Sequence, residues 1–399
     1  MQRGNAATIA IERIAFGGSG IGFLDGRVAF VPGTVDGDVV EIEITEVRKR
    51  YVRGRITKIL KQSDHRTSPL CGSYGRCGGC CYQHMAYDRQ LFWKERQVLD
   101  TFQHIGGIPS PPVLAVIPSP KPYHYRWKAG LHIGREYGRP KLIGFMSGAS
   151  NRIVAITRCE IVEESINHLL QECRHALHEG TWSPVEERIT LWSQDETSPS
   201  WTPLGPSAAA PFILRTIKER RVTVPRDGFF QANPNLICKM IDLVLAASAP
   251  RGGETVVDGF CGSGLFSLFL APQSNRVHGI EWDVRAVEAA RHNVAQLGFH
   301  NISLHHGDIG SVLQQFADPV DVLVIDPPRA GCGKALLERI STLSPGKIVY
   351  VSCNPATQAR DIRHLCGKGY RLQSLQPLDM FPQTAHIEVI ATLLHSRYP

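Results

Sequence analysis

The chain has 399 residues, 43% hydrophobic and 20% charged, enough for two or three domains with buried cores. Its net charge of +7 permits a polyanionic partner, and the absence of an 18-residue apolar run or a leader-like start predicts neither a membrane span nor secretion. Eleven cysteines, an odd number unevenly spread, point to metal-binding or catalytic thiols in a reducing, cytoplasmic setting and exclude a disulfide framework.

Residues 1–60 read as short strands. Thr8–Ile14 alternates, Gly17-Gly18-Ser19-Gly20 turns the chain, and Asp38–Thr45 alternates clearly. Such spacing predicts a small OB-like β-barrel. From Val47 to Lys61 there are seven Lys or Arg and no acid, with Tyr51 among them, a basic face suited to RNA backbone. The segment resembles the TRAM domain, an RNA-binding module of RNA-modifying enzymes.

Next comes Cys71-Gly72-Ser73-Tyr74-Gly75-Arg76-Cys77-Gly78-Gly79-Cys80-Cys81. Three thiols at this spacing in a glycine-rich loop are soft ligands for zinc or an iron–sulfur cluster, and the spacing leaves both open. Cys159 is the best fourth ligand. Cys81, adjacent to Cys80, is read as a bystander and Cys173 as core. Residues 85–106 have the 3.6-residue apolar period of an amphipathic helix, expected to pack on the C-terminal domain. Residues 61–222 otherwise form a strand-rich central domain, with strands at Tyr125–Ile133, Leu142–Phe145 and Arg152–Ile156 and a Ser/Pro/Ala-rich loop at 193–211. Arg126 and Lys128 are candidate phosphate contacts.

Residues 223–399 alternate strand and helix patterns, which predicts an α/β fold with a doubly wound, Rossmann-like parallel sheet. After the first strand, Gly262-Ser263-Gly264 opens a helix without the third glycine of dinucleotide binders or the Gly-Lys-Ser/Thr of nucleotide hydrolases. S-adenosylmethionine fits instead: Glu281 ends the second strand, where it can accept ribose hydroxyls, and Asp308 follows the third, placed for adenine. Asp326-Pro327-Pro328 fixes an acid after the fourth strand. Arg329 stands where amino-group methyltransferases carry an aromatic. Cys353 ends the fifth strand, where a thiolate can act as nucleophile. Glu388, an acid inside an apolar strand, suits a base because burial raises a carboxylate pKa.

Taken together, Phe229-Phe230-Gln231-Ala232-Asn233, Asp258–Gly264, Glu281, Asp308, Asp326–Gly331, Ser352-Cys353-Asn354-Pro355 and His386-Ile387-Glu388 resemble the RNA uracil-5-methyltransferase family. The resemblance spans essentially the full chain. It implies that Gln231, Phe260, Glu281, Asp308 and Asp326 contact S-adenosylmethionine, that Cys353 is the nucleophile and that Glu388 is the proton acceptor. It also implies a [4Fe–4S] cluster on Cys71, Cys77, Cys80 and Cys159, against zinc. Gly259 departs from a bulkier apolar residue of the family, an exchange expected to be neutral. The TRAM segment and the cysteines together resemble the ribosomal RNA branch, so the expected partner is ribosomal RNA, bound by a monomer, with tRNA as the alternative. Phe229 or Phe230 is expected to fill the gap left by an extruded base.

Overall fold

The alternation of the first sixty residues becomes a curled sheet in the computed structural model, which describes residues 1–136, 139–148, 150–195, 200–204, 210–316 and 318–397. Strands β1 (Ala6–Ala10), β2 (Arg13–Ile14), β3 (Ser19–Leu24), β4 (Arg27–Pro32), β5 (Val39–Val47) and β6 (Tyr51–Lys61) lie in the order β1-β5-β6-β4-β3-β2. Val40, Ile42 and Ile44 of β5 are buried between half-exposed neighbours, the period of two that one covered face requires. A β carbon on Gly22 would sit 2.2 Å from the Ala10 carbonyl oxygen, so glycine there lets β3 lie against the end of β1 and tighten the curl. The basic run on β6 is less free than its sequence suggests. Arg55 pairs with Glu43 and Arg53 with Glu46, because antiparallel pairing sets β6 against the acids of β5, and Arg48, in the turn before β6, pairs with Glu46 two residues away.

Helix α1 (Tyr87–His104) joins this sheet to the C-terminal one. Its Trp93 packs into the core of the N-terminal sheet, while Val98 and Phe102 pack into the C-terminal core. The central region holds β7 (Lys128–Glu136), β8 (Arg139–Met146), β9 (Ile153–Ala155), α2 (Glu164–His178) and β10 (Arg188–Trp192), with an antiparallel sheet in the order β10-β7-β8-β9. Cys173 is buried in its core. The strand expected from Tyr125 begins only at Lys128, because the Tyr125 and Arg126 amides donate to the Ile161 carbonyl. Within the loop at 193–211, residues 196–199 and 205–209 lie outside the described residues, and Trp201 pairs back onto Trp192. A hairpin of β11 (Phe212–Ile217) and β12 (Arg220–Pro225) follows.

The last sheet is built by α3 (Pro234–Ser248), β13 (Thr255–Gly259), α4 (Leu265–Leu270), β14 (Arg276–Glu281), α5 (Val284–Gln296), β15 (Ile302–His306), α6 (Ile309–Leu313), β16 (Val322–Ile325), α7 (Lys334–Leu343), β17 (Lys347–Ser352), α8 (Pro355–Cys366), β18 (Tyr370–Leu378) and β19 (Glu388–His395). Its order is β15-β14-β13-β16-β17-β19-β18. All four residues of β16 are buried, as helices on both faces demand. The expectation of a wholly parallel sheet is corrected at one edge: β19 runs antiparallel to both β17 and β18. A short turn joins β18 to β19, and a turn of that length reverses the chain where a parallel crossover needs a dozen residues or more. Among the described residues no helix is long and apolar enough to cross a membrane.

Candidate active site

Reversing β19 puts its first residue at the carboxyl edge of the sheet. Ser352 is paired with Val389, so the next position along the ladder sets Cys353 against Glu388. Cys353 sits between the end of β17 and the start of α8, where Asn354 caps the helix by accepting from the Ala356 amide at 3.2 Å and Pro355 occupies the first turn. Asp326 and Arg329 enter from the neighbouring end of β16. The turn bearing Arg329 is tied to α8: Asn354 Nδ2 and Thr357 Oγ1 both donate to the Arg329 carbonyl, at 3.0 and 3.1 Å.

Burial dominates the electrostatics of this crevice. It pushes the Cys353 thiol up to about 11, the charge of Glu388 adds to the rise, and the hydrogen-bonding guanidinium of Arg329 opposes it. Glu388 lies well above the ordinary carboxylate range, first by burial, then by the charge of Asp326, again against Arg329. Asp326 is raised to about 7 by burial and by Asp258. Near neutral pH the carboxyls therefore hold protons that ordinary acids have lost. His386 is driven down to about 4 by burial and by Arg329, so it is a neutral imidazole, with Nε2 3.1 Å from Arg329 Nη2. Gln231 reaches the cluster through Nε2, 3.4 Å from Asp326 Oδ2.

Composition and spacing did not single out Arg329 or His386 as working groups. Two signals were available. His386 and Glu388 are two apart, the spacing that shares one face of a strand, and Arg329 follows two rigid prolines.

Around the glycine turn, Gly262 (φ 56°), Gly264 (φ 83°) and Phe260 (φ 63°) adopt left-handed backbone. A β carbon on Gly259 would meet Ile309 Cδ1, the far end of a flexible side chain, at 2.2 Å. Glu281 accepts from the Gly262 amide at 2.9 Å and from Asp283 at 2.8 Å, which leaves further lone pairs on both oxygens. Asp308 caps α6 through Oδ1 and lines a cavity of about 400 Å³ with Phe260, Ile309, Ser311 and Leu336. Gln314 and Arg339 add polar groups to its wall, and apolar walls with a few polar groups suit a purine-sized ring. The structure thus brings Phe260 and Asp308 to one cavity, Glu281 to the adjoining glycine turn, and Gln231, Asp326, Cys353 and Glu388 to the sheet edge.

The thiols of Cys71, Cys77, Cys80 and Cys159 line one further cavity of about 210 Å³. Burial raises Cys80 to about 12 and Cys159 to about 11, with mutual repulsion among the thiols adding to each. Among the described residues no three His, Cys, Asp or Glu side chains are gathered closely enough for a single metal ion. Arg126 lies in the wall of this cavity, while the Lys128 amine donates to the Gly228 carbonyl and stacks over Trp192. Of the two expected phosphate contacts, Lys128 is thus engaged within the fold. Of the two phenylalanines expected near an extruded base, Phe230 is buried and stacked on Trp127, while Phe229 is 78% exposed.

The TRAM domain family matches residues 2–57 and a methyltransferase domain family matches residues 250–377. A protein of Gloeobacter violaceus named an uncharacterized RNA methyltransferase is 35% identical, with 99% of this chain and 97% of that one covered. Another of the same description, from Halalkalibacterium halodurans, is 32% identical over 98% of each chain. Among solved structures, the Pyrococcus abyssi tRNA (uracil-54, C5)-methyltransferase in complex with S-adenosyl-L-homocysteine is 25% identical, has a TM-score of 0.74, and covers 97% of this chain and all of its own. With the sheet, the glycine turn and full-length relatives in agreement, the chain belongs to the TRAM-bearing RNA methyltransferase family.

Proposed function

We propose that this protein transfers a methyl group from S-adenosylmethionine to C5 of a uridine in RNA. The observation that carries the proposal is the closeness of Cys353, just past the end of β17, to Glu388 at the start of β19, beside Arg329 and Asp326. Uracil C5 is a poor nucleophile. Addition of the Cys353 sulfur to C6 forms an S–C6 bond and leaves an electron-rich enolate at C5. Arg329 favours the thiolate that makes this attack. S-adenosylmethionine supplies the methyl group and a sulfonium charge that favours ionised carboxylates. Glu388 removes the C5 proton, the C5–C6 double bond reforms, and the S–C6 bond breaks to release Cys353. Phe260 and Asp308 hold the adenine and Glu281 the ribose, while Gln231 and Asp326 face the reacting end. RNA labelled with tritium at uracil C5 tests the reaction: label is released by the native protein and retained with Cys353→Ala. No release from any RNA in the presence of S-adenosylmethionine refutes it.

The chain reads as three units, a TRAM domain at 1–60, a central domain at 61–222 and a catalytic domain at 223–399. The donor set of the central unit fits an iron–sulfur cluster. Four soft thiols lining one cavity are the ligand type that such a cluster takes. Cys71, Cys77, Cys80 and Cys159 would ligate a [4Fe–4S] group there. Anaerobic purification tests it: four irons and visible absorption are expected, and a colourless zinc protein overturns it.

For the substrate, the TRAM segment combined with the cysteine cavity favours ribosomal RNA. The likeness to the Pyrococcus enzyme favours tRNA as the second reading. Mapping 5-methyluridine in both RNAs from a deletion strain separates them.

A further inference from the structure

The turn between β18 and β19 delivers His386 and Glu388, and it is anchored from three directions. Residues Asp379, Gln383 and Thr384 in it are buried. From α1, the buried Lys94 amine pairs with Asp379 and donates to the Phe381 carbonyl at 3.1 Å. Also from α1, Gln90 makes a two-way bond: its Oε1 accepts from the Gln383 amide and its Nε2 donates to Gln383 Oε1, each at 3.0 Å. From the cysteine loop, the amides of Cys81 and Tyr82 both donate to the Gln383 carbonyl, at 3.1 and 3.0 Å. From the central region, Gln383 Nε2 donates to the Pro122 carbonyl at 3.3 Å and Tyr125 Oη to Pro382 at 3.1 Å. Gln383 therefore uses its amide, its carbonyl and both ends of its side chain. It does so at φ 68°, a conformation that a non-glycine residue holds only where its surroundings over-determine it.

Cys80 lines the cysteine cavity, and the next two peptide groups bond to this carbonyl. One acceptor atom thus joins the thiol loop to the turn that ends in Glu388. We propose that Gln383 is a positioning residue: it locks the 379–387 turn to α1 and to the cysteine loop, and so fixes Glu388 for removal of the C5 proton. The proposal rests on the reaction described above. Because Gln383 acts on the proton acceptor and leaves Cys353 in place, its loss slows the elimination step more than the addition step. A general loss of packing slows both.

The test compares four full-length proteins, native, Glu388→Gln, Gln383→Ala and Gln383→Asn, with RNA and S-adenosylmethionine. It reads tritium release, the denaturation-resistant protein–RNA adduct and thermal melting. A fifth protein, Gln90→Leu, removes from the helix side the bond to Gln383 Oε1 and the acceptor of the Gln383 amide, and serves if Gln383→Ala fails to fold. Glu388→Gln accumulates methylated adduct. Gln383→Ala and Gln90→Leu melt cooperatively, bind S-adenosylmethionine within about twofold of native, release tritium roughly 10- to 100-fold more slowly, as small misplacements of a reacting group do, and also accumulate adduct. Gln383→Asn, whose short amide tolerates left-handed backbone, restores part of the release. If Glu388→Gln accumulates adduct while Gln383→Ala and Gln90→Leu turn over like native, or slow down without adduct, Gln383 has no positioning role and the reaction stands. If Glu388→Gln releases tritium normally and traps nothing, the assigned reaction falls, and the positioning role with it.

Discussion

Cys353, just past the end of β17, lies near Glu388, the first residue of the antiparallel β19, one position beyond the Ser352–Val389 pair, although the whole of α8 and β18 separates them in the chain. Two groups held at the ends of adjacent rigid strands keep their spacing without help from a mobile loop. Substituting either should therefore change chemistry and leave the fold intact. Cys353→Ala is expected to abolish tritium release while S-adenosylmethionine binding, followed by calorimetry, stays within about twofold and stability within about 1 kcal/mol.

Arg329 is the cation that opposes the upward shift of the Cys353 thiol. A positive charge beside a thiol favours the thiolate, so removing it raises the thiol pKa further. Arg329→Gln should move the alkaline rise of Cys353 alkylation to higher pH, slow it at pH 7.5 by about tenfold for each pKa unit gained, and lower turnover in parallel. Alkylation at unchanged rate would show that the guanidinium does not act on the sulfur.

Asp258 is fully buried, with Oδ2 accepting from the Ser267 amide and hydroxyl while Oδ1 has no hydrogen-bond partner among the described residues. Burial raises it from 3.8 to about 7. The folded protein thus binds a proton that the unfolded chain has released between pH ~4 and ~7, and stability falls as pH rises through that window. Asp258→Asn keeps an oxygen for Ser267 and removes the titration. Its stability should match the native protein near pH 4 and exceed it at pH 8 by at most about 4 kcal/mol, read as a difference between two denaturant series.

Phe229 and Phe230 are neighbours with opposite environments, 78% and 7% exposed. Phe230→Ala should cost about 3–5 kcal/mol of stability, since it empties a stacked core position against Trp127. Phe229→Ala should leave melting within about 0.5 kcal/mol of native and weaken RNA binding by ~1–3 kcal/mol through lost base stacking. Titration of the substrate RNA, beside thermal melts of both variants, separates the two roles.

Much of this protein is legible in one dimension. Strict alternation in Asp38–Thr45 fixes the buried face of β5. A run such as Val322–Ile325, apolar throughout, announces a strand covered on both sides. The cysteine spacing and the Asp-Pro-Pro turn mark chemistry because few local contexts demand those residues. Such signals are local, set by side-chain period and backbone restriction, and they survive without a partner in view. Tertiary structure decided what depends on pairing. Only the reversal of β19 shows that Glu388 is next to Cys353 rather than two strands away. Only the β5–β6 ladder shows that Arg53 and Arg55 pair with Glu46 and Glu43. Composition treats Phe229 and Phe230 alike, yet one is wet and one is packed. The upward shifts of Cys353, Asp326 and Glu388 arise from burial and mutual charge, which are properties of distance in space, and distance along the chain carries no record of them.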